Sequence, residues 1–502
     1  MTIMKVPESI RKVKRPKNTV VIATSEKEGL KQYEVKERKK SVYRPGHNPM
    51  PVNGAVIGYI YDGRFIERAE RLEEKTEVKS YGGSMLAYSL SRDVFEDLCR
   101  IYDIKEAGQI YTIALLRVIR KGVTDRRLSS AYECSYLSEL MKDVPLSENT
   151  VSDLIRKLGG NYSLITRFMQ LKASEVVKGH HVAIDGMLKQ DSSDVNDLSS
   201  FSFKSRIRGV KDISVLYAYD IETREPVCSK IYPGNMIDAR AYADFVRESG
   251  LKEALFVDDK GFPPSEIEGI VKENPDIGYL TPLKRSTKKG SDDIYLFDTA
   301  IRTAKGTVPA RKKELENGRF LYCYRDTDEA GSEEKGYLRK NGKSLDCDDY
   351  QKKLLKFGTI VLESNKDMDL LTAYNAYSDR WMIELMFKAY KSSLDLDQTR
   401  VQGNCSVIGS EFINFLSSLV TSRIMREFEK AGLIDDDSYG DVMDDLNSAL
   451  KIKKGDQWVL SDTNKGVLEK MYRLNIEKGP EPKEKKKRGR PKKKQDASKT
   501  SL

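Results

Sequence analysis

Histidine is almost absent. The 502-residue chain has three, and two of them, His180 and His181, are adjacent. This argues against a histidine-based hydrolase or a zinc centre. It leaves carboxylates as the ligands for any metal, which favours magnesium or manganese. Cysteine is scarce too. Cys99, Cys134, Cys228, Cys323, Cys347 and Cys405 lie far apart, with no C-x-x-C pair. That spacing argues against a zinc ribbon or a disulfide framework and fits a reducing compartment. No apolar run nears the roughly 18 residues of a membrane span. The best, Phe412 to Val420, is interrupted by Ser417 and Ser418. The basic N-terminus, Met1 to Asn18, lacks the apolar stretch of a secretory signal. The expectation is a soluble, highly charged cytoplasmic protein with no membrane association. Its length suggests about three domains, at roughly 100–200 residues each.

Positive charge is in excess and unevenly placed. Lys and Arg number 87 against 77 Asp and Glu, a net charge of +10. Residues 476–502 hold eleven Lys/Arg and four Asp/Glu, so this tail carries +7 and the rest of the chain +3. The tail contains Pro480, Pro482 and Pro491 and almost nothing apolar, and is expected to be disordered. Inside it, Arg488-Gly489-Arg490-Pro491 resembles an AT-hook. An extended Arg-Gly-Arg suits the narrow, strongly negative minor groove of A·T-rich DNA. The plainer reading is a solvated tail that binds any polyanion. Arg11, Lys12, Lys14, Arg15 and Lys17 form a second basic arm.

Residues 1–75 read as a small β domain behind that arm. Val20-Val21-Ile22, then Tyr33 and Val35 alternating with charge, then Val56 to Ile60 are strand-like, with Asn53-Gly54 and Asp62-Gly63 as hairpin turns. Residues 85–178 read as helical. Ser147 caps a helix with apolar Val151, Leu154, Ile155 and Leu158, and Gly159-Gly160 ends it. An earlier helix over about Ala131 to Met141 makes a helix-turn-helix or an ordinary bundle equally acceptable. From His180 the pattern is α/β. His181-Val182-Ala183-Ile184 is a short buried strand ending at Asp185, and Ala254-Leu255-Phe256-Val257 is another running into Asp258-Asp259. Residues 285–357 are too long for a loop and read as a β-rich insertion. Residues 431–475 read as helical.

The segment around Glu384 carries the chemistry. At about 100° per residue, Tyr377, Arg380, Glu384, Lys388 and Lys391 share one helical stripe, with Ile383, Leu385, Met386 and Phe387 opposite. Helix geometry alone also admits an ordinary amphipathic helix with i,i+4 ion pairs. Two acidic strand ends, Asp185 and Asp259, add to it. Neighbouring parallel strands bring such ends together, and a later helix brings a glutamate to them. Three carboxylates make a site for two divalent ions, the arrangement used in phosphoryl transfer.

These blocks resemble the DDE transposases of bacterial insertion sequences, in the branch with a Tyr-x2-Arg-x3-Glu-x6-Lys signature. Tyr377, Arg380, Glu384 and Lys391 reproduce that spacing. Val182-Ala183-Ile184-Asp185-Gly186 is similar to the first-Asp strand, and Tyr232-Pro233-Gly234-Asn235 with Asp238 to the intervening block. Asp259-Lys260-Gly261-Phe262 is similar to the second-Asp block. The resemblance implies a multidomain α/β protein. Residues 179–284 and 358–430 would form a ribonuclease H-like core around the 285–357 insertion. Asp185, Asp259 and Glu384 would bind two Mg2+ or Mn2+ ions. Tyr377, Arg380 and Lys391 would contact DNA, as would the tail residues Arg488, Gly489, Arg490 and Pro491. The activity implied is cleavage of element ends and joining of the freed 3′-hydroxyls to target DNA, by a homodimer on paired ends, in a bacterial cytoplasm at the nucleoid. A catalytically idle DNA-binding descendant and a structure-specific nuclease are the alternatives. Asp258 is a competing second ligand, and Met187 replaces the Thr or Ser common two residues after the first Asp. The run Asp435-Asp436-Asp437 begins like a calcium loop, but Tyr439 and Leu446 occupy ligand positions, so it reads as a solvated acidic loop.

Overall fold

The computed structural model describes residues 6–23, 33–43, 46, 48–61, 63–68, 77–202, 205, 209–236, 238–259, 264–285, 292–304, 306–342, 344–435 and 437–478. The AT-hook-like tetrapeptide and Lys260-Gly261-Phe262 lie outside them. The chain divides into two units, 1–77 and 78–502.

The first unit is an antiparallel sheet of β1 (Thr19–Ala23), β2 (Tyr33–Val42), β3 (Met50–Tyr61) and β4 (Arg64–Glu67), in that order. Val35 and Ile60 are its buried hydrophobic residues among those described. Asn53-Gly54, expected as a turn, instead lies inside β3, where the pairing with β2 shifts register. A bulge absorbs the turn-forming pair there. Gly63 does turn the chain between β3 and β4, with φ +67°.

In the second unit, β5 (Val78–Ser80) leads into helices, among them Ile104–Ile119 and Glu148–Gly160. Ser147 caps the latter as expected, its hydroxyl accepting the Thr150 N–H at 3.4 Å. Val151, Leu154, Ile155 and Leu158 are buried along one face. Ser147→Ala should weaken this helix start by about 1 kcal/mol. Amide exchange at Thr150 and Val151 is the measure, and unchanged rates there would show an idle cap. The helix expected over 131–141 is broken: Leu128–Cys134 and Leu137–Leu140 flank an extended Ser135.

A nine-stranded sheet follows. Its strands are β6 (His181–Gln190), β7 (Asp212–Asp220), β8 (Glu225–Pro233), β9 (Leu255–Val257), β10 (Gly278–Pro282), β11 (Thr299–Thr303), β12 (Gly306–Glu314), β13 (Phe320–Arg325) and β14 (Thr359–Ser364). Their order is β11-β12-β13-β14-β10-β9-β6-β7-β8. β6 is parallel to β9, and β9 to β10, while the other pairings are antiparallel. The 285–357 interval therefore extends the main sheet through β14. It also holds two helices, Thr327–Asn341 and Cys347–Leu354. Sequence periodicity does not announce them, because only Ala330 is buried in the first and no residue in the second. Their caps are the available signal: Asp326 and Asp346 each accept two backbone N–H groups.

The long helix Asn404–Lys430 packs across the unit. One hydrophobic core includes Tyr81, Leu158, Phe168, Val182, Tyr217, Ile383 and Phe412, so the helices before residue 178 share it with the sheet. Gly159 ends no helix by exposure; it is buried where a Cβ would meet the Cys405 carbonyl oxygen at 1.8 Å. Gly409 faces the Ile155 carbonyl in the same way, at 2.0 Å. The 431–475 stretch is not wholly helical. Between helices Tyr439–Ser448 and Lys465–Arg473 it forms a hairpin of β15 (Leu450–Lys454) and β16 (Gln457–Leu460), turned at Gly455 with φ +59°. No helix among the described residues is long and apolar enough to cross a membrane.

Candidate active site

The strand expected to end at Asp185 runs five residues further as β6, because Met187 and Lys189 keep the buried alternation and β7 stays paired to Asp212. Asp185 thus lies mid-strand, its Oδ1 accepting the Gly186 N–H at 2.8 Å. Ala183 pairs in parallel with Val257. Asp185 and Asp259 each stand two residues beyond that pair, Asp185 within β6 and Asp259 just past the end of β9. Asp258 has a different environment. It is buried, and accepts the Tyr242 hydroxyl at 2.8 Å and the Thr281 hydroxyl at 3.2 Å. Burial pushes its pKa up to about 7.

Glu384 sits on the helix Trp381–Lys388, which follows Leu370–Asp379. Arg380 joins them in helical conformation, φ −51° and ψ −31°, so the stripe carries through from Tyr377 to Glu384. Ile383, Met386 and Phe387 are buried on the other side. The Arg380 guanidinium gathers the three carboxylates. Its Nη1 lies 3.9 Å from Asp185 Oδ2, and its Nη2 lies 3.8 Å from Asp259 Oδ1 and 3.7 Å from Glu384 Oε1. These are charge contacts, longer than hydrogen bonds. The buried Arg380 Nε has no hydrogen-bond partner. The guanidinium carbon lies 5.6 Å from the Tyr377 ring centre, within cation–π range.

Burial raises the Asp185 pKa. The Gly186 N–H and Arg380 oppose the rise, while Asp259 and Glu384 add to it. Burial likewise raises Tyr377, with Arg380 opposing and Asp259 adding. The site therefore holds more negative charge than one guanidinium neutralises. Three carboxylates from separate segments are hard oxygen donors, the chemistry that suits Mg2+ or Mn2+.

Lys391 falls outside this cluster. The chain after Lys388 widens into a π-helical turn, Ala389–Ser393, which breaks the step of about 100° that puts Lys391 on the stripe. Lys391 is exposed, and its charge acts on Asp212 of β7.

Two groups escape a reading of the sequence alone. Lys189, Tyr390, Glu411 and Asn414 form a buried hydrogen-bonded cluster beside the site. Continuing the β6 alternation past Asp185 would mark Lys189. Among the described residues, His180, Asp220 and Glu222 are the group whose ligand atoms all lie within 4.8 Å of one another. Their atoms already have partners. His180 Nδ1 is 2.8 Å from Asp220 Oδ2, and Asp220 Oδ1 accepts the N–H groups of Glu222 and Thr223. Glu222 accepts the His181 N–H at 2.9 Å. These contacts staple the turn between β7 and β8.

An aspartate within β6, an aspartate just past the end of the parallel neighbour β9 and a glutamate from a later helix define a carboxylate site on a mixed α/β sheet. Residues 191–406 match the family model described as the transposase DDE domain. The match takes in Asp259, Tyr377, Arg380, Glu384 and Lys391 and begins just after Asp185. It spans less than half of the chain and supports a DDE transposase family and a transposase function for it. No curated protein matches the chain. Among solved structures, a piggyBac transposase synaptic complex with hairpin DNA is similar at 11% identity and a TM-score of 0.37, over 73% of this chain and 79% of that one. A Mos1 transposase paired-end complex with a left transposon end is similar at 13% identity and a TM-score of 0.14, over 32% of this chain and 59% of that one. Both likenesses are distant.

Proposed function

We propose that the protein is a DNA transposase of the insertion-sequence type, with a ribonuclease H-like core. It would cleave the element's ends and join the freed 3′-hydroxyls to target DNA. The observation that carries this is the meeting of Asp185, Asp259 and Glu384 around Arg380. The three carboxylates would hold two Mg2+ or Mn2+ ions, which in such sites activate the attacking oxygen and stabilise the leaving oxygen. Arg380 holds its carboxylates only by charge, through Nη1 and Nη2, which suits those two nitrogens to fork onto a phosphate. Tyr377 braces that guanidinium from one side. Lys391, exposed in the π turn, would contact backbone phosphate. Two ends must be joined, so a homodimer on paired ends is the expected assembly.

The test is incubation of the purified protein with Mg2+ and a labelled inverted repeat taken from the DNA flanking the gene. Nicking followed by joining supports the proposal. Binding without cleavage favours an idle DNA-binding descendant, and hydrolysis without joining favours a nuclease. The basic tail contributes non-specific affinity in this reading. Removing residues 480–502 should weaken binding and flatten its salt dependence, by a log–log slope of about 0.9 for each phosphate no longer neutralised. Filter binding across a salt series measures this, and an unchanged slope would mean the tail touches no phosphate.

A further inference from the structure

Lys189 and Glu411 form an ion pair inside the protein, with side chains 3% and 4% exposed and Nζ 2.5 Å from Oε1. Lys189 also donates to the Tyr390 hydroxyl at 3.0 Å. Tyr390 donates to Glu411 Oε2 at 2.7 Å. Asn414 donates to both, at 3.2 Å to the Tyr390 hydroxyl and 2.8 Å to Glu411 Oε1, while its own oxygen accepts from Arg117 at 2.7 Å.

Burying two charges costs several kcal/mol, and an apolar pair of similar size would hold the fold as well. What this cluster supplies is a defined geometry between three segments. Lys189 is four residues beyond Asp185 on the same face of β6. Tyr390 is six residues beyond Glu384, in the π turn closed by Leu394 N–H to the Ala389 carbonyl at 3.0 Å. Glu411 and Asn414 belong to the long helix. The Tyr390 hydroxyl therefore ties the end of the Glu384 helix to the strand that carries Asp185. An apolar contact supports the same helix about one turn earlier. Phe387 meets the ring of Tyr217 edge-on at 5.8 Å, and Tyr217 pairs directly across from Asp185.

We propose that Lys189, Tyr390 and Glu411 are positioning residues that fix the spacing of Glu384 from Asp185 and so set the affinity of the carboxylate triad for a divalent cation. The inference rests on reading the triad as a metal site. Groups that orient metal ligands in this way are typically worth about 10–100-fold in metal affinity.

The experiment is a calorimetric Mn2+ titration of the full-length protein without DNA, beside Tyr390→Phe and the double variant Lys189→Met with Glu411→Met. Tyr390→Phe keeps the ring and leaves the ion pair intact. The double variant removes both charges, so neither is left buried alone. The expected result is Mn2+ binding weakened about tenfold or more in both, with circular dichroism unchanged. End cleavage by Tyr390→Phe should recover as Mn2+ is raised. Wild-type Mn2+ affinity in either variant, whatever its melting temperature, would overturn the proposal and leave the cluster a purely structural one. Glu384→Gln is the control that assigns the ion. If wild-type protein binds no Mn2+, or Glu384→Gln binds it unchanged, the triad reading itself falls and takes this proposal with it.

Discussion

Asp185→Asn, Asp259→Asn and Glu384→Gln should each lower end cleavage about a thousandfold or more while end binding stays near the wild-type level. Each change is isosteric and removes one negative charge, so the fold and any attraction for phosphate are preserved. In the proposed reading, what would disappear is a charged oxygen that would hold a divalent cation. Such stabilisation is worth several kcal/mol, and about 1.4 kcal/mol is a factor of ten in rate. Asp258→Asn is the informative neighbour. Asp258 accepts the Tyr242 and Thr281 hydroxyls, and Arg380 and Asp185 act on it by charge alone, so its amide should keep most of the cleavage rate. Single-turnover cleavage of a labelled end, paired with gel-shift binding, separates the two classes. Wild-type cleavage by any one of the three would remove that residue from the triad.

The largest stability effect should come from Gly159→Val. A side chain there would drive into the main-chain carbonyl of Cys405, which cannot rotate away. Overpacking of this kind costs about 1–3 kcal/mol and occasionally more. Backbone against backbone places Gly159 at the upper end of that range. Gly160→Ala is the matched control, since nothing lies within 4 Å of a Cβ at that position. Urea unfolding should show the valine variant's midpoint well below both wild type and Gly160→Ala. Equal midpoints would mean that the two helices can part at small cost. The change should also reach the catalytic region, because the helix pushed aside carries Glu411 and Asn414.

The sequence displays some of this plainly and hides the rest for identifiable reasons. Local periodicity makes the Ser147 cap, the strands around Val182 and Phe256 and the Tyr377-Arg380-Glu384 stripe readable, since each needs only a few consecutive residues. The level at which Asp185 and Asp259 stand depends on how β6 pairs with β9, a long-range register no local pattern reveals. The π turn at Ala389–Ser393 changes the angular step without a distinctive residue, so a uniform step does not fix the position of Lys391. Helices Thr327–Asn341 and Cys347–Leu354 bury too little apolar surface to leave a periodic trace. The hairpin after Ser448 is hidden because its strands are short and the first, Leu450–Lys454, is mostly lysine.

The strand Val78–Ser80 has as its sheet partner Leu450–Lys454, and Ser80 Oγ donates to the Asn447 carbonyl 367 residues away. A ribosome adding about 5–20 residues per second needs on the order of tens of seconds to bridge that gap. Through that time the nascent chain presents an unpaired strand edge ahead of its helices. A message truncated before codon 450 would leave that edge permanently open to other chains.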